Sequence, residues 1–185
     1  MDAREFFPPV IDLDTLREAS RACKACGLWK NGTQTVFGEG PGDARLVIVG
    51  ERPDVEDDRV GEPFIGGEGR LLGRALEAAG IPRDEVYVTY LVKHLKADAP
   101  PSPREIRACL PWLEAEIDRI RPQVLVCLGA TPVRALLGKA PRWNAKVVAT
   151  LHPATILGQP TADARDQDFK RLTEDLRTAS RLVSR

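Results

Sequence analysis

Long apolar runs are missing from this 185-residue chain. No stretch approaches the roughly 20 apolar residues that a membrane-spanning helix needs. The first residues, Met1-Asp-Ala-Arg-Glu-Phe-Phe7, lack a basic segment followed by an apolar one, so no secretory leader is read there. A cytoplasmic location without a membrane partner is expected. An excess of charge is missing too: 27 Lys and Arg stand against 27 Asp and Glu. Composition alone therefore does not announce a nucleic-acid partner. Arg far outnumbers Lys, and Arg suits phosphate recognition, yet surface ion pairing or a GC-rich genome accounts equally well for that skew. Internal repeats and linkers are absent, so residues 1–185 read as one domain, long enough for a full core. Cysteine is scarce, with four, and a cytosolic chain is not expected to pair them in disulfides. Histidine is scarcer still, at His94 and His152.

What is present is organised around Leu46-Val-Ile-Val-Gly50 and the stretch that follows it to Gly66. The short apolar run suits a strand buried on both faces of a parallel sheet. It breaks into a polar, acid-rich loop that holds Glu51, Arg52, Asp57 and an isolated aromatic, Phe64. Such a loop is longer than most strand-to-helix connections. Open α/β sheets place their sites at the carboxyl ends of strands.

Further strands read at Val86–Val92, Val124–Leu128 and Val147–Thr150. Helices read from Asp12 or Asp14 to Cys26, over Gly69–Ala79, from Ser102 to about Ile120, from Gly129 with Thr131 as cap to Leu137, and from about Asp163 to Leu182. Ser102-Pro-Arg-Glu105 is a capping box with Pro in the first helical position. A proline-rich loop is expected over Ala97–Pro103. A helix followed by four strand–helix alternations predicts a four-stranded parallel sheet with helices on both faces, a three-layer α/β/α sandwich.

Two constellations carry chemistry. Cys23-x-x-Cys26, His94 and Cys109 lie at element ends, where side chains can converge, whereas Cys127 sits inside a buried strand as a small core residue. The set suits tetrahedral zinc or an iron–sulfur cluster, and the Cys-x-x-Cys alone also suits a redox pair. The second set, Glu51 to Phe64, Tyr90 and His152, gathers at strand ends. A histidine there, facing acids and an aromatic, is a catalytic candidate. The residues alone do not name its reaction.

As a set, several motifs resemble family 4 uracil-DNA glycosylases. Gly50-Glu-Arg-Pro with Glu56-Asp-Asp-Arg-Val-Gly-Glu-Pro-Phe-Ile-Gly66 is similar to that family's first motif, and Leu151-His-Pro-Ala-Thr-Ile-Leu157 to its His-Pro motif. Cys23-Lys-Ala-Cys26, Val92-Lys-His94, Cys109-Leu-Pro-Trp-Leu113 and Leu128-Gly-Ala-Thr131 fall at the family's other landmarks. The resemblance covers nearly the whole chain. It implies a DNA glycosylase of base excision repair, acting on a flipped base in DNA. It also implies a [4Fe–4S] cluster on Cys23, Cys26, His94 and Cys109. The family has cysteine where this chain has His94, while the UdgX-type branch has histidine there. Phe64 would stack on the base, His152 would stabilise the leaving group, and Asp57 or Glu51 would orient water or stabilise the sugar cation. Amides around Gly66 would hold phosphates, with Arg52 and Arg59 as further contacts. A monomer is expected.

The departures are equally specific. Arg52 and Asp54 replace smaller residues, Tyr90 replaces the Asn that reads the uracil edge, and Gly158 replaces a terminal Arg. The basic, histidine-bearing loop of the UdgX-type branch is absent. Hence three readings stand: a uracil glycosylase, a glycosylase with another base preference, and a catalytically silent iron–sulfur DNA-binding protein.

Overall fold

The computed structural model describes residues 2–96 and 99–183. Four parallel strands, β1 Leu46–Gly50, β2 Val86–Tyr90, β3 Val124–Leu128 and β4 Lys146–Thr150, pair in the order β2-β1-β3-β4. The helices are α1 Leu13–Ser20, α2 Val55–Val60, α3 Gly67–Ala79, α4 Pro103–Ile120, α5 Ala130–Leu136, α6 Pro153–Leu157 and α7 Ala162–Leu182.

Alternation along the strands builds two cores. Leu46, Ile48, Val86, Val88, Val124 and Val126 pack with α3 and α7 on one face. Val47, Val49, Tyr87, Leu125 and Cys127 pack with Leu113 and Ile117 of α4 and Leu136 of α5 on the other. Burial on both faces is what continuous apolar runs anticipate. The expected α/β/α sandwich is the observed architecture.

This strand order creates a crevice. The second helix after β1, α3, lies on one face, and the helix after β3, α5, lies on the other. β1 and β3 are neighbours, so their connections part at their carboxyl ends. That is the switch point at which open α/β sheets bind ligands. At the opposite edge, an antiparallel bridge between Glu39 and Val88 covers β2.

A buried ion pair ties the second core to that cover. Lys93 and Glu116 are both 0% exposed. Lys93 Nζ donates to Glu116 Oε2 at 2.5 Å, to Thr89 Oγ1 and to the Tyr90 carbonyl. Glu116 Oε1 also accepts from Tyr87 Oη and from the Gly38 amide. Every polar group in this cluster has a partner, as burial demands.

Four local expectations are corrected. The first helix stops at Ser20, so Cys23 and Cys26 lie beyond it. Their side chains turn inward, with Trp112 Nε1 donating to Cys23 Sγ at 3.3 Å, which a continuing helix would not permit. The loop after β1 contains α2, capped by Asp54 in a capping box with Asp57. Gly129 rather than Thr131 caps α5. Strand β2 ends at Tyr90 rather than Val92, where Lys93 turns its amine back onto the Tyr90 carbonyl. Of the proline-rich loop expected at 97–103, Ala97 and Asp98 lie outside the described residues, and Pro103 already belongs to α4.

Candidate active site

The crevice at the carboxyl ends of β1 and β3 holds a cavity of about 280 Å³. Glu51, Arg52 and Asp54 from the β1 loop line it, with Glu68 of α3, Gly129 after β3, and His152 after β4. Three expected site residues, Glu51, Arg52 and His152, are thus brought together.

His152 caps α6 with its own ring: Nδ1 accepts from the Ala154 amide at 3.2 Å. An acceptor at Nδ1 places the proton of the neutral imidazole on Nε2. Burial pushes its pKa down to about 4, with Arg52 adding to the effect and Glu51 opposing it. The ring is therefore neutral at physiological pH, and its 3.7 Å approach to Glu68 Oε2 is not an ion pair. Nε2 is buried without a hydrogen-bond partner. A buried donor left unmade costs about 1–3 kcal/mol, so this N–H is poised for an acceptor.

Beside the cavity, but outside its lining, lies an aromatic pair. Phe64 and Tyr90 stack with ring centroids 4.6 Å apart and planes 27° from parallel. Tyr90 Oη donates to Asp57 Oδ2 at 2.6 Å and accepts from the Phe64 amide at 3.2 Å. Phe64 has φ 59°, a left-handed conformation that is costly for an aromatic residue. Two glycines permit it. A Cβ on Gly69 would fall 1.6 Å from the Phe64 carbonyl oxygen, and one on Gly50 would fall 2.7 Å from the Phe64 ring. Asp57 is 1% exposed and also accepts from the Ile65 and Asp54 amides. Its oxygens thus fasten the Phe64 loop.

The basic candidates separate. Arg52 approaches Glu51 at 3.7 Å, while Arg59 is exposed and makes no ion pair among the described residues. Gly66 caps α3 without a side-chain bond. A Cβ there would lie within 2.7 Å of carboxylate oxygens of both Asp54 and Glu56, so its surroundings are acidic.

Glu68 is the functional candidate that sequence reasoning missed. Burial foremost, then Asp54 and Asp57, raise its pKa to about 7, with Arg52 opposing. In sequence it is an ordinary acid in the first turn of a helix. Its only signal is a charged residue set between two glycines, Gly67 and Gly69.

The cysteines converge elsewhere, in a small core with Ala3, Leu16, Phe37 and Trp112. The Cys26 thiol neighbours Cys109 and His94, and these neighbours, Cys109 foremost, pull its pKa down against the opposing effect of burial. Cys109 is pushed well up as the partner of Cys26 and by burial. Cys23, on the indole of Trp112, is raised by burial. All three thiols are free and buried, and His94 Nδ1 is buried without a partner. Among the described residues, no three His, Cys, Asp or Glu side chains are placed to hold a single metal ion. Three thiols and an orphaned imidazole nitrogen are four donors of the kinds that iron–sulfur clusters take.

Fold and cavity together define an open α/β protein with a neutral histidine at its switch point. The comparisons narrow that class. Residues 37–177 match the model of the Uracil DNA glycosylase superfamily. The type-4 uracil-DNA glycosylase of Archaeoglobus fulgidus is 34% identical over 183 residues, 88% of this chain and 92% of that protein. Its counterpart in Thermotoga maritima is 34% identical, covering 94% of this chain and 95% of that protein. A type-5 uracil-DNA glycosylase of Thermus thermophilus is 33% identical over 55% of the chain and 53% of its own length. The chain belongs to the uracil-DNA glycosylase superfamily.

Proposed function

We propose that this chain is a DNA glycosylase that hydrolyses the bond between uracil and deoxyribose in DNA, in the service of base excision repair. The observation that carries the reading is the buried, unpartnered Nε2–H of neutral His152 at the switch-point cavity. As the glycosidic bond breaks, negative charge moves onto the departing base. A neutral imidazole donates a hydrogen bond to a carbonyl oxygen of that base and strengthens it as charge develops. Glu51, which lines the same cavity, offers a carboxylate to the cationic sugar and to the attacking water. Asp57 acts one step back, since its oxygens are engaged by Tyr90 and two amides. Phe64 supplies the stacking face for the flipped base, and Tyr90, lying on that ring, governs how fully a base can use it.

DNA is held through its backbone. Arg52 and exposed Arg59 meet phosphates, whereas the carboxylates beside Gly66 leave its amide a weaker contact. Binding therefore weakens steeply with salt. Cys23, Cys26, His94 and Cys109 hold a [4Fe–4S] cluster that cross-links the N-terminal segment to the loop after β2 and to α4. No helix among the described residues is long and apolar enough to cross a membrane. We read residues 1–185 as one domain that acts as a monomer in the cytoplasm.

The test is single-turnover cleavage of oligonucleotides that carry one uracil, with thymine and cytosine controls. Wild type releases uracil. His152→Ala lowers the rate about 10²–10³-fold and leaves DNA affinity in place. Release of no base by wild type, with DNA still bound, would favour the silent binding protein.

A further inference from the structure

We propose that the carboxyl group of Glu68 binds the hydrogen-bonding edge of the flipped base beside His152, as a proton donor. This rests on the glycosylase reading and adds a residue to it. The geometry narrows the choice. Tyr90 Oη is committed to Asp57 and to the Phe64 amide. Asp54 spends an oxygen capping α2. Arg52 faces Glu51. The Glu68 carboxyl lines the cavity, makes no hydrogen bond among the described residues, and stands 3.7 Å from the His152 ring.

A half-buried carboxyl with neither a Lys or Arg in ion-pair contact nor an N–H donor is favoured in its protonated form. The titratable groups around it act in that direction on balance. Asp54 and Asp57 from the α2 segment disfavour a further negative charge, Arg52 opposes them, Glu51 lines the same cavity, and His152 is neutral. Its pKa of about 7 puts the change of state within reach of ordinary buffers. In the acid form the group offers one donor and one acceptor, the pair that an adjacent N–H and carbonyl on a uracil edge require. It also leaves no negative charge facing a base that departs as an anion. The carboxylate form loses the donor and repels that anion.

Two measurements test this, each on wild type, Glu68→Gln and Glu68→Ala between pH 5.5 and 8.5. The first is the single-turnover rate of uracil release. For wild type it stays level at acid pH and falls about tenfold per pH unit above the Glu68 pKa. In Glu68→Gln, which keeps donor and acceptor without the titration, that fall is gone. In Glu68→Ala the rate is low throughout. The second is fluorescence anisotropy with an oligonucleotide bearing 2′-fluoro-2′-deoxyuridine, which resists hydrolysis, against its thymine-free, uracil-free counterpart. The preference for the uracil analogue weakens above pH 7 in wild type, holds in Glu68→Gln and is lost in Glu68→Ala. A wild-type rate that rises through pH 7, or a falling limb that survives in Glu68→Gln, overturns the assignment. So does unchanged preference in Glu68→Ala. If wild type releases no uracil yet the binding pattern holds, the glycosylase reading fails and the Glu68 assignment stands.

Discussion

Tyr90→Phe removes one oxygen atom and disturbs two contacts. The phenol donates to the buried Asp57 carboxylate at 2.6 Å and accepts from the Phe64 amide. A hydrogen bond to a charged group contributes about 1.5–3 kcal/mol, and a buried amide left without its acceptor costs about 1–3 kcal/mol. Asp57 keeps two backbone donors, which limits the loss. A net destabilisation of about 2–4 kcal/mol is expected, or roughly 5–15 °C in Tm at this chain length. The strained Phe64 backbone is released in the same change. Tyr90→Asn goes further, because it also vacates the ring face of Phe64 that Tyr90 covers. Its amide offers both a donor and an acceptor to a base. Stability therefore falls while the single-turnover rate of uracil release rises. Calorimetry and cleavage of a uracil-bearing oligonucleotide check the two halves separately. An unchanged Tm in Tyr90→Phe would refute the anchoring role, and an unchanged rate in Tyr90→Asn would refute the idea that Tyr90 restricts the base.

His152 and Glu68 should give opposite pH dependences of stability. The folded-state pKa of His152 is depressed to about 4, so its contribution falls as pH drops from about 6.5 towards 4, by up to about 3 kcal/mol. That of Glu68 is raised to about 7, so its contribution is full below about 4.5 and is lost as pH rises through 7. Urea midpoints at pH 5 and pH 7.5 should show Glu68→Gln relatively less stable in acid and His152→Ala relatively more stable there; matching slopes in the two variants would contradict both assignments. Freshly purified protein should be brown and contain iron and sulfide. Cys109→Ser should lose the metal and solubility together while Cys127→Ser keeps the metal, and a colourless protein with one zinc would exclude the cluster. Glu116→Ala strands the Lys93 amine inside the core, where breaking such a pair costs about 3–5 kcal/mol. Thermal denaturation reads that loss, and a Tm within about 2 °C of wild type would show the pair to be unimportant.

How far the sequence can be read depends on the range of the force involved. Strands β1 and β3 are legible because burial on both faces leaves an uninterrupted apolar run. Helix α4 is legible because Ser102 and Glu105 complete a local capping box. Helix α2 is not, because its box uses Asp57 in place of Glu and its six residues are too few to show a period. Helix α1 is overrun for a different reason. Nothing local stops it at Ser20, and the stop comes from Cys23 and Cys26 reaching to Trp112, Cys109 and His94. The site divides in the same way. His152 stands out as a rare residue beside a proline after an apolar strand. Glu68 does not, because at the start of a helix an acid already has a local purpose in complementing the helix dipole. The packing of α3 against α6 on one face of the sheet, helices far apart in sequence, brings Glu68 against His152. Its chemistry is therefore a property of the tertiary packing, and a sequence motif drawn around the β1 loop and the His-Pro turn passes over it.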